Sequence, residues 1–593
     1  MGLDVSIQKV KRSLARSLSR SLARSLARAL AVGSLLLSNS ALAAADWVLH
    51  NGFVYTMDAS AQRETALVIE GDKIAFVGDD KAALRQAGTG TKIIDLNGRA
   101  VFPGFIDTHI HIMDTLPLVD GAMLSPSQSA EEVLAALAQH IADNPEQNPV
   151  LGAGFLARAF GIDGPTAKEL DQIVSDRPAL IIDEGGHTAW ANSVALAMAG
   201  ISAESPDPVP GAHFFQRDEE GVPTGWLVEG AAIEPVMNAL DVVSMPALRK
   251  AAPAFLQEMS RVGLTSAFDA GMIETADLGR QLALELAEQD ALPVRIIASL
   301  YVNRPSDLET ALERLEQLDT DYEHPYFDVN TLKLSLDGTV EAKTAVTLEP
   351  YVLPEGHVAT PLLPAPEVIA TVTEAAGRDR DLHLHAIGDG AVNTALNAVQ
   401  AARETYPKTT SRFTICHIEV VNPADIPRFA ELNVVAQTTP TWFEYDYVAL
   451  EYLGRERFEQ LYPLASIRRN GAKVTLGSDY PVTWIGVDAL NPLFNIEMAV
   501  TRQRAGDSSY PIQSLVSERL SVDQAIRAHT VDAAWQIGLE EKIGTIEVGK
   551  LADIVVLERD PYFAPIHSLH EIRVDHTFSG GREVFKRRSG QDG

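Results

Sequence analysis

Two histidines one residue apart, His109 and His111, close the apolar run that begins Pro103-Gly104-Phe105-Ile106. On an extended strand, residues i and i+2 project to the same side. At a strand's end such a pair can aim two imidazoles at one metal ion, although surface or packing histidines can share the spacing. Three further apolar runs end in a metal-competent side chain. Leu382-His383-Leu384 stops at His385, Phe413-Thr414-Ile415-Cys416 at His417, and Val474-Thr475-Leu476-Gly477-Ser478 at Asp479. Imidazole and carboxylate without thiolate suit Zn2+ first, with Mn, Fe and Ni also able to fill such a site. His383 shares a side with His385 and is a secondary candidate, as a ligand or as a donor behind one. Lys333 lies between Leu332 and Leu334. A cation in an apolar strand is costly unless it is paired or chemically altered. It reads either as an ion pair with Asp337 or as a carbamylated amine bridging two metals. Cys416, the one cysteine, permits no intrachain disulfide and reads as core packing.

Side chains at the ends of separate strands meet only if those strands stand side by side. Between residues 101 and 530, strand-like and helix-like segments alternate. Apolar runs at 101–107, 179–183, 264–269, 331–337, 381–386, 412–418, 433–438 and 473–478 supply eight βα units. That pattern predicts an α/β fold, a (β/α)8 TIM barrel with its working residues at the C-terminal strand ends. Residues 44–100 and 531–593 are rich in short β-like runs and turns. They predict a small composite β-sandwich formed from both termini. Extra length around 110–150 and 200–240 reads as insertions over the active face.

The first 43 residues have a different character. Lys9, Lys11 and five arginines precede a short apolar stretch and then Ala41-Leu42-Ala43-Ala44-Ala45. A basic start, an apolar run and an Ala-x-Ala site predict a signal peptide cleaved near Ala43–Ala45 and a secreted or periplasmic bacterial protein. An amphipathic helix lying on a membrane surface and an upstream start codon are the alternatives. The full chain carries a net charge of −31, and loss of the basic leader makes the remainder more acidic. Such a surface disfavours nucleic acid or an anionic membrane as partner. A small-molecule substrate is expected, with no stable membrane association of the mature chain; homo-oligomerisation is left open.

As a set, the motifs resemble the amidohydrolase superfamily, and within it amidohydrolase family 3, the group typified by YtcJ-like proteins and N-substituted formamide deformylase. The resemblance spans about 46–585. It rests on Pro103 to His111, Gly186-His187-Thr188-Ala189-Trp190-Ala191-Asn192, Pro223-Thr224-Gly225, Lys333 to Gly338, His385 to Asp389, His417 with Glu419, Gly477 to Pro481, and Gly549 to Asp553. It implies a centre of one or two divalent ions. His109, His111 and Asp479 would hold one, His385 and His417 the second, with carboxylated Lys333 as bridging ligand. The implied activity is hydrolysis of a C–N (amide-type) bond of a small molecule by metal-activated hydroxide. Asp479 would accept the proton and return it to the leaving amine, and His187 would assist the oxyanion. Glu419 and Asp389 are expected to orient His417 and the loop after His385. His187, Trp190, Asn192, Thr439 and Trp442 are the expected substrate-side residues, and Glu229 is expected to shape the pocket. Thr439 stands where the family usually carries the Gln of a Gln-Pro pair, and His383 where an apolar residue is more usual. A lactonase, esterase or phosphotriesterase at the same centre is the main alternative. A deaminase is disfavoured because Gly388 stands where those enzymes carry Glu, and a non-catalytic binding protein because every expected ligand is present.

Overall fold

The computed structural model describes residues 45–588 except 61, 274, 354–355 and 483–485. The predicted leader at 1–43 lies outside the described residues, as does the C-terminal tail from 589. Eight parallel strands form one sheet in chain order: β1 (Phe105–Ile110), β2 (Leu264–Asp269), β3 (Arg295–Val302), β4 (Phe327–Ser335), β5 (Asp381–Ala386), β6 (Phe413–His417), β7 (Val434–Thr438) and β8 (Val474–Leu476). Intervening helices cover it, giving the (β/α)8 barrel. Just beyond β8 the ring is tied shut: the Asp479 amide donates to the His109 carbonyl at 2.7 Å, and the His111 amide to the Tyr480 carbonyl at 2.9 Å. The Asp107 carboxylate braces this seam by accepting from the Ser478 amide at 3.0 Å. Gly477 permits the approach, since a Cβ there would lie 2.6 Å from the His109 nitrogen.

The structure corrects two of the expected strands. The run 101–107 divides at Gly104 into Ala100–Pro103, which belongs to the terminal domain, and β1. A Cβ on Gly104 would overlap the Thr265 side chain, so this junction requires glycine. The run Ala179–Asp183 is not a barrel strand at all. It sits inside a second, six-stranded sheet with the spatial order 214–217, 223–228, 188–191, 179–183, 150–155, 122–123. Its two faces are covered by separate apolar clusters, one holding Leu180 and Leu227, the other Ile181, Trp190 and Val228. A strand buried on both faces reads as a continuous apolar run, as a barrel strand does. This sheet is inserted between β1 and β2. The barrel strand it displaced from the reading is β3, which opens on an arginine.

That arginine explains the tail of the chain. A six-stranded sheet of order 582–586, 574–579, 554–557, 100–103, 53–55, 63–64 joins strands from both termini, with Ile554 opposite Pro103 and Val555 opposite Phe102. A four-stranded N-terminal sheet packs against it through Trp47, Leu49, Leu67, Ile69, Val101, Ile554 and Phe578. This is the composite β-sandwich. Asp553 rivets it to the barrel floor: its carboxylate accepts from Arg295 at 2.7 Å and from the Gly580 amide at 2.7 Å, and its carbonyl from the Gly104 amide at 2.8 Å. Both partners of the ion pair are buried. Among the described residues, no helix is long and apolar enough to cross a membrane. Removing one member of a buried pair strands the other charge. Asp553→Ala is therefore expected to cost about 3–5 kcal/mol and to lower the thermal unfolding midpoint. The double variant Arg295→Met/Asp553→Leu should recover most of the loss; an unchanged midpoint in the single variant would contradict this account.

Candidate metal centre and active-site cleft

The ends of β1, β4, β5, β6 and β8 converge as the barrel requires. His109 Nε2 and His111 Nε2 lie 3.4 and 3.5 Å from Asp479 Oδ1, and His417 Nδ1 lies 3.5 Å from Asp479 Oδ2. Two donors bound tetrahedrally at about 2.1 Å from one Zn2+ are themselves about 3.4 Å apart. The spacing therefore fits ligands around a common ion. Asp479 Oδ1 and His417 Nδ1 are buried without a hydrogen-bond partner, which an ion would satisfy. The His385 ring lies 4.4 Å from that of His417, centre to centre. Lys333 is buried with Nζ 3.3 Å from His109 Nε2 and 3.4 Å from Cys416 Sγ. The ion-pair alternative for Lys333 does not hold, because Asp337 instead accepts from the Ile387, Gly388 and Val346 amides. The donors His109, His111 and Asp479 form one group able to hold an ion, and His109, Cys416 and His417 another.

Burial supplies the protonation state that a metal site needs. It pushes the pKa of His109, His385 and His417 well below the usual value and that of His111 down to about 4, with Lys333 adding to the shift at each. All four imidazoles are thus neutral donors at neutral pH. Burial also raises Asp479 to about 7, against the pull of Lys333 and His187, and raises the Cys416 thiol to about 12. Second contacts fix the ring orientations. His111 Nδ1 meets the Gly271 carbonyl at 2.8 Å. His109 Nδ1 lies 3.2 Å from Gln437 Oε1 and 3.1 Å from His383 Nε2. His383 accordingly stands behind His109, stacked on Phe268. His417 and Asp479 both take left-handed backbone angles, with φ of 72° and 51°. Such strain in non-glycine residues concentrates where a side chain must be aimed.

A cleft opens above this centre, lined by His109, His111, His385, His417 and Asp479 at its base. The inserted sheet forms part of its wall and contributes His187. Burial opposes a charge on His187, but the Glu229 carboxylate, 2.7 Å from Nδ1, outweighs it and holds the imidazole pKa up at about 9. Glu229 is itself held by the Thr344 hydroxyl at 2.7 Å and has a φ of 67°. Trp442 lines the cleft and stacks on His417, with centroids 5.2 Å apart. Trp190 and Asn192 are placed elsewhere. Trp190 packs on Phe155 and Phe160 in the core of the inserted domain. Asn192 caps the helix Ser193–Met198 by accepting from the Ala195 amide. Thr439 is buried at the end of β7 and does not line the cleft. Asp389 accepts from the Leu348 amide, and Glu419 faces a neighbouring cavity. Tyr301 and Asn303 at the end of β3 do line the cleft. They were missed because β3 was missed; their spacing of two beyond the apolar run Arg295–Leu300 is the signal that could have found them.

Fold and site together define a metal-dependent hydrolase on a (β/α)8 barrel. The chain belongs to the amidohydrolase family, which matches residues 92–585. It is 29% identical over 443 residues to the exoenzymes regulatory protein AepA of Pectobacterium carotovorum, covering 73% of this chain and 94% of that protein. It is 26% identical over 556 residues to the N-substituted formamide deformylase of Arthrobacter pascens, covering 91% and 98%. A crystal structure of an uncharacterized metal-dependent hydrolase from Pyrococcus furiosus superposes with a TM-score of 0.65 at 25% identity, covering 87% of this chain and 99% of that one.

The geometry predicts that the purified protein retains a divalent metal through dialysis. Asp479→Ala and His109→Ala should retain less than about a tenth of it, since loss of a ligand costs more than the 10–100-fold in affinity typical of residues behind the ligands. His383→Phe should weaken retention only within that milder range. Elemental analysis checks this, and wild-type retention in Asp479→Ala would contradict it.

Proposed function

We propose that the protein hydrolyses a C–N (amide-type) bond of a small molecule, with His109, His111 and Asp479 holding one divalent ion, by default Zn2+. His385 and His417 would hold a second, with Lys333, carboxylated, bridging the two. The observation that carries this reading is the convergence of the His109, His111 and Asp479 donor atoms, with the two imidazole nitrogens 3.4 and 3.5 Å from an Asp479 Oδ1 that has no hydrogen-bond partner. A bound ion of this kind supplies Lewis acidity and makes water acidic enough to ionise near neutral pH. Asp479 would accept the proton of the attacking water. It then returns that proton to the departing nitrogen as general acid. His187, kept cationic by Glu229, offers its free Nε2–H to the negative charge developing on the carbonyl oxygen. Pro117, Leu118, Ile182, Ile233, Met237 and Trp442 give the cleft an apolar wall, which excludes bulk water and accepts an apolar portion of the substrate.

A lactone or ester can be attacked at the same centre. The amide reading is preferred because Asp479 is suited to protonate a leaving amine, which an alkoxide leaving group needs less. A regulatory protein without turnover is the further alternative that the likeness to AepA raises; intact donors, strained backbone at two of them and a cationic His187 argue for chemistry. Residues 1–43 are proposed as an export leader, supported by their basic, then apolar, then small-residue order.

The test is a mass-spectrometric hydrolysis screen with metal-loaded protein in bicarbonate. N-formyl, N-acetyl and longer N-acyl amines are set against lactones and phosphotriesters. Turnover of an amide that vanishes on metal removal and in Asp479→Ala is expected, and turnover of lactones or phosphotriesters alone would contradict the reaction. His187→Asn should lower kcat by about 10²–10³-fold, the usual loss of an oxyanion donor, with metal content unchanged. A kcat within twofold of wild type would remove His187 from the chemistry.

A further inference from the structure

A second, small cavity adjoins the cleft, and Gly185, Trp442 and Val482 line both. Four carboxylic acids face it: Glu184, Glu341, Glu419 and Asp446. No basic side chain lines it among the described residues. Glu184 is 5% and Glu419 2% exposed, and Glu184 Oε2 and Glu419 Oε1 have no hydrogen-bond partner. Burying an acceptor in this way costs free energy unless something donates to it. Both residues line the same cavity, which marks it as the place of a donor-rich, positively charged group. The acids are not arranged for a bare metal ion. Among the described residues, none of the groups whose donor atoms converge on one point belongs to this cavity. A larger cation with several N–H groups can bridge the more widely spaced oxygens. Trp442 and Tyr462 add aromatic surface, and an indole favours a cation close to it.

We propose that this acid cavity is a subsite for an organic cation, the ammonium or guanidinium end of the substrate whose amide bond lies at the metal centre. The subsite assigns a substrate class, an N-acyl compound with a cationic head, and rests on the amide-hydrolase reading. Binding is read without turnover so that the two can fail separately. Metal-loaded protein is titrated calorimetrically with n-butylguanidinium, n-butylammonium and neutral n-butylurea, and the same is done for Glu184→Gln and Glu419→Gln. Two isosteric variants guard against one of them folding poorly, and each is checked for metal content and unfolding midpoint. The cations are expected to bind at least tenfold more tightly than the urea, and each variant should lose at least tenfold of that affinity. Equal binding of urea and cations, or unchanged cation affinity in both folded variants, would overturn the subsite. Ca2+ or Mg2+ raising the wild-type midpoint but not that of the variants would also overturn it, by assigning the cavity to an inorganic ion. Cation binding in a protein that hydrolyses no amide would instead fault the reaction and leave the subsite standing.

Discussion

The closure of β8 onto β1 is the constraint from which the rest of the site follows. Asp479 and His109 are joined through backbone, amide to carbonyl, at 2.7 Å, so a carboxylate from the last strand and an imidazole from the first share one position. The sequence cost of this seam is visible. Gly477 must lack a side chain, Asp107 must turn inward to receive the Ser478 amide, and Asp479 must accept a left-handed backbone. Each feature would be unfavourable in an ordinary strand. Together they are tolerated because the packed barrel fixes the alternatives out of reach. At the other end of the barrel, Arg295 and Asp553 tie the strands to a sandwich made from both chain ends, so the long chain closes upon itself below the site as well as within it.

The division of labour between barrel and insertion is equally physical. Rigid parallel strands supply the donors whose spacing must be right to a fraction of an ångström. The inserted sheet supplies His187 and Glu229, whose pairing sets a charge rather than a coordination geometry. Burial acts oppositely on the two sets. It keeps the metal-facing imidazoles neutral, with Lys333 adding to the effect, and it is outweighed at His187 because the Glu229 carboxylate lies 2.7 Å from Nδ1. One cleft therefore holds neutral donors and a cationic donor side by side.

The cluster of candidate donors was legible in the sequence because His111, His385, His417 and Asp479 each close an apolar run, and the two-residue period of a strand puts His109 with His111 and His383 with His385. The composite sandwich was legible because β-like runs occupy both ends. What was not legible depended on contacts distant in the chain. Ala179–Asp183 is apolar for the same reason a barrel strand is, burial on both faces, and only its antiparallel neighbour Thr188–Ala191 reveals the difference. β3 was hidden by Arg295, whose partner lies at Asp553. Trp190 and Asn192 were expected as substrate contacts because the family resemblance groups them with His187, yet a strand that leads away from the cleft carries them into a core and a helix cap. The partnership of His187 with Glu229 joins residues 42 apart, a separation that no local pattern encodes.

The account stands or falls on which atoms surround the metal. X-ray absorption at the zinc edge of the Zn-loaded protein reads this directly. The account predicts a first shell of nitrogen and oxygen alone, at about 2.0–2.1 Å, with imidazole scattering from at least two histidines. A sulfur contribution at about 2.3 Å would put Cys416 in place of Asp479 and contradict the centre described here.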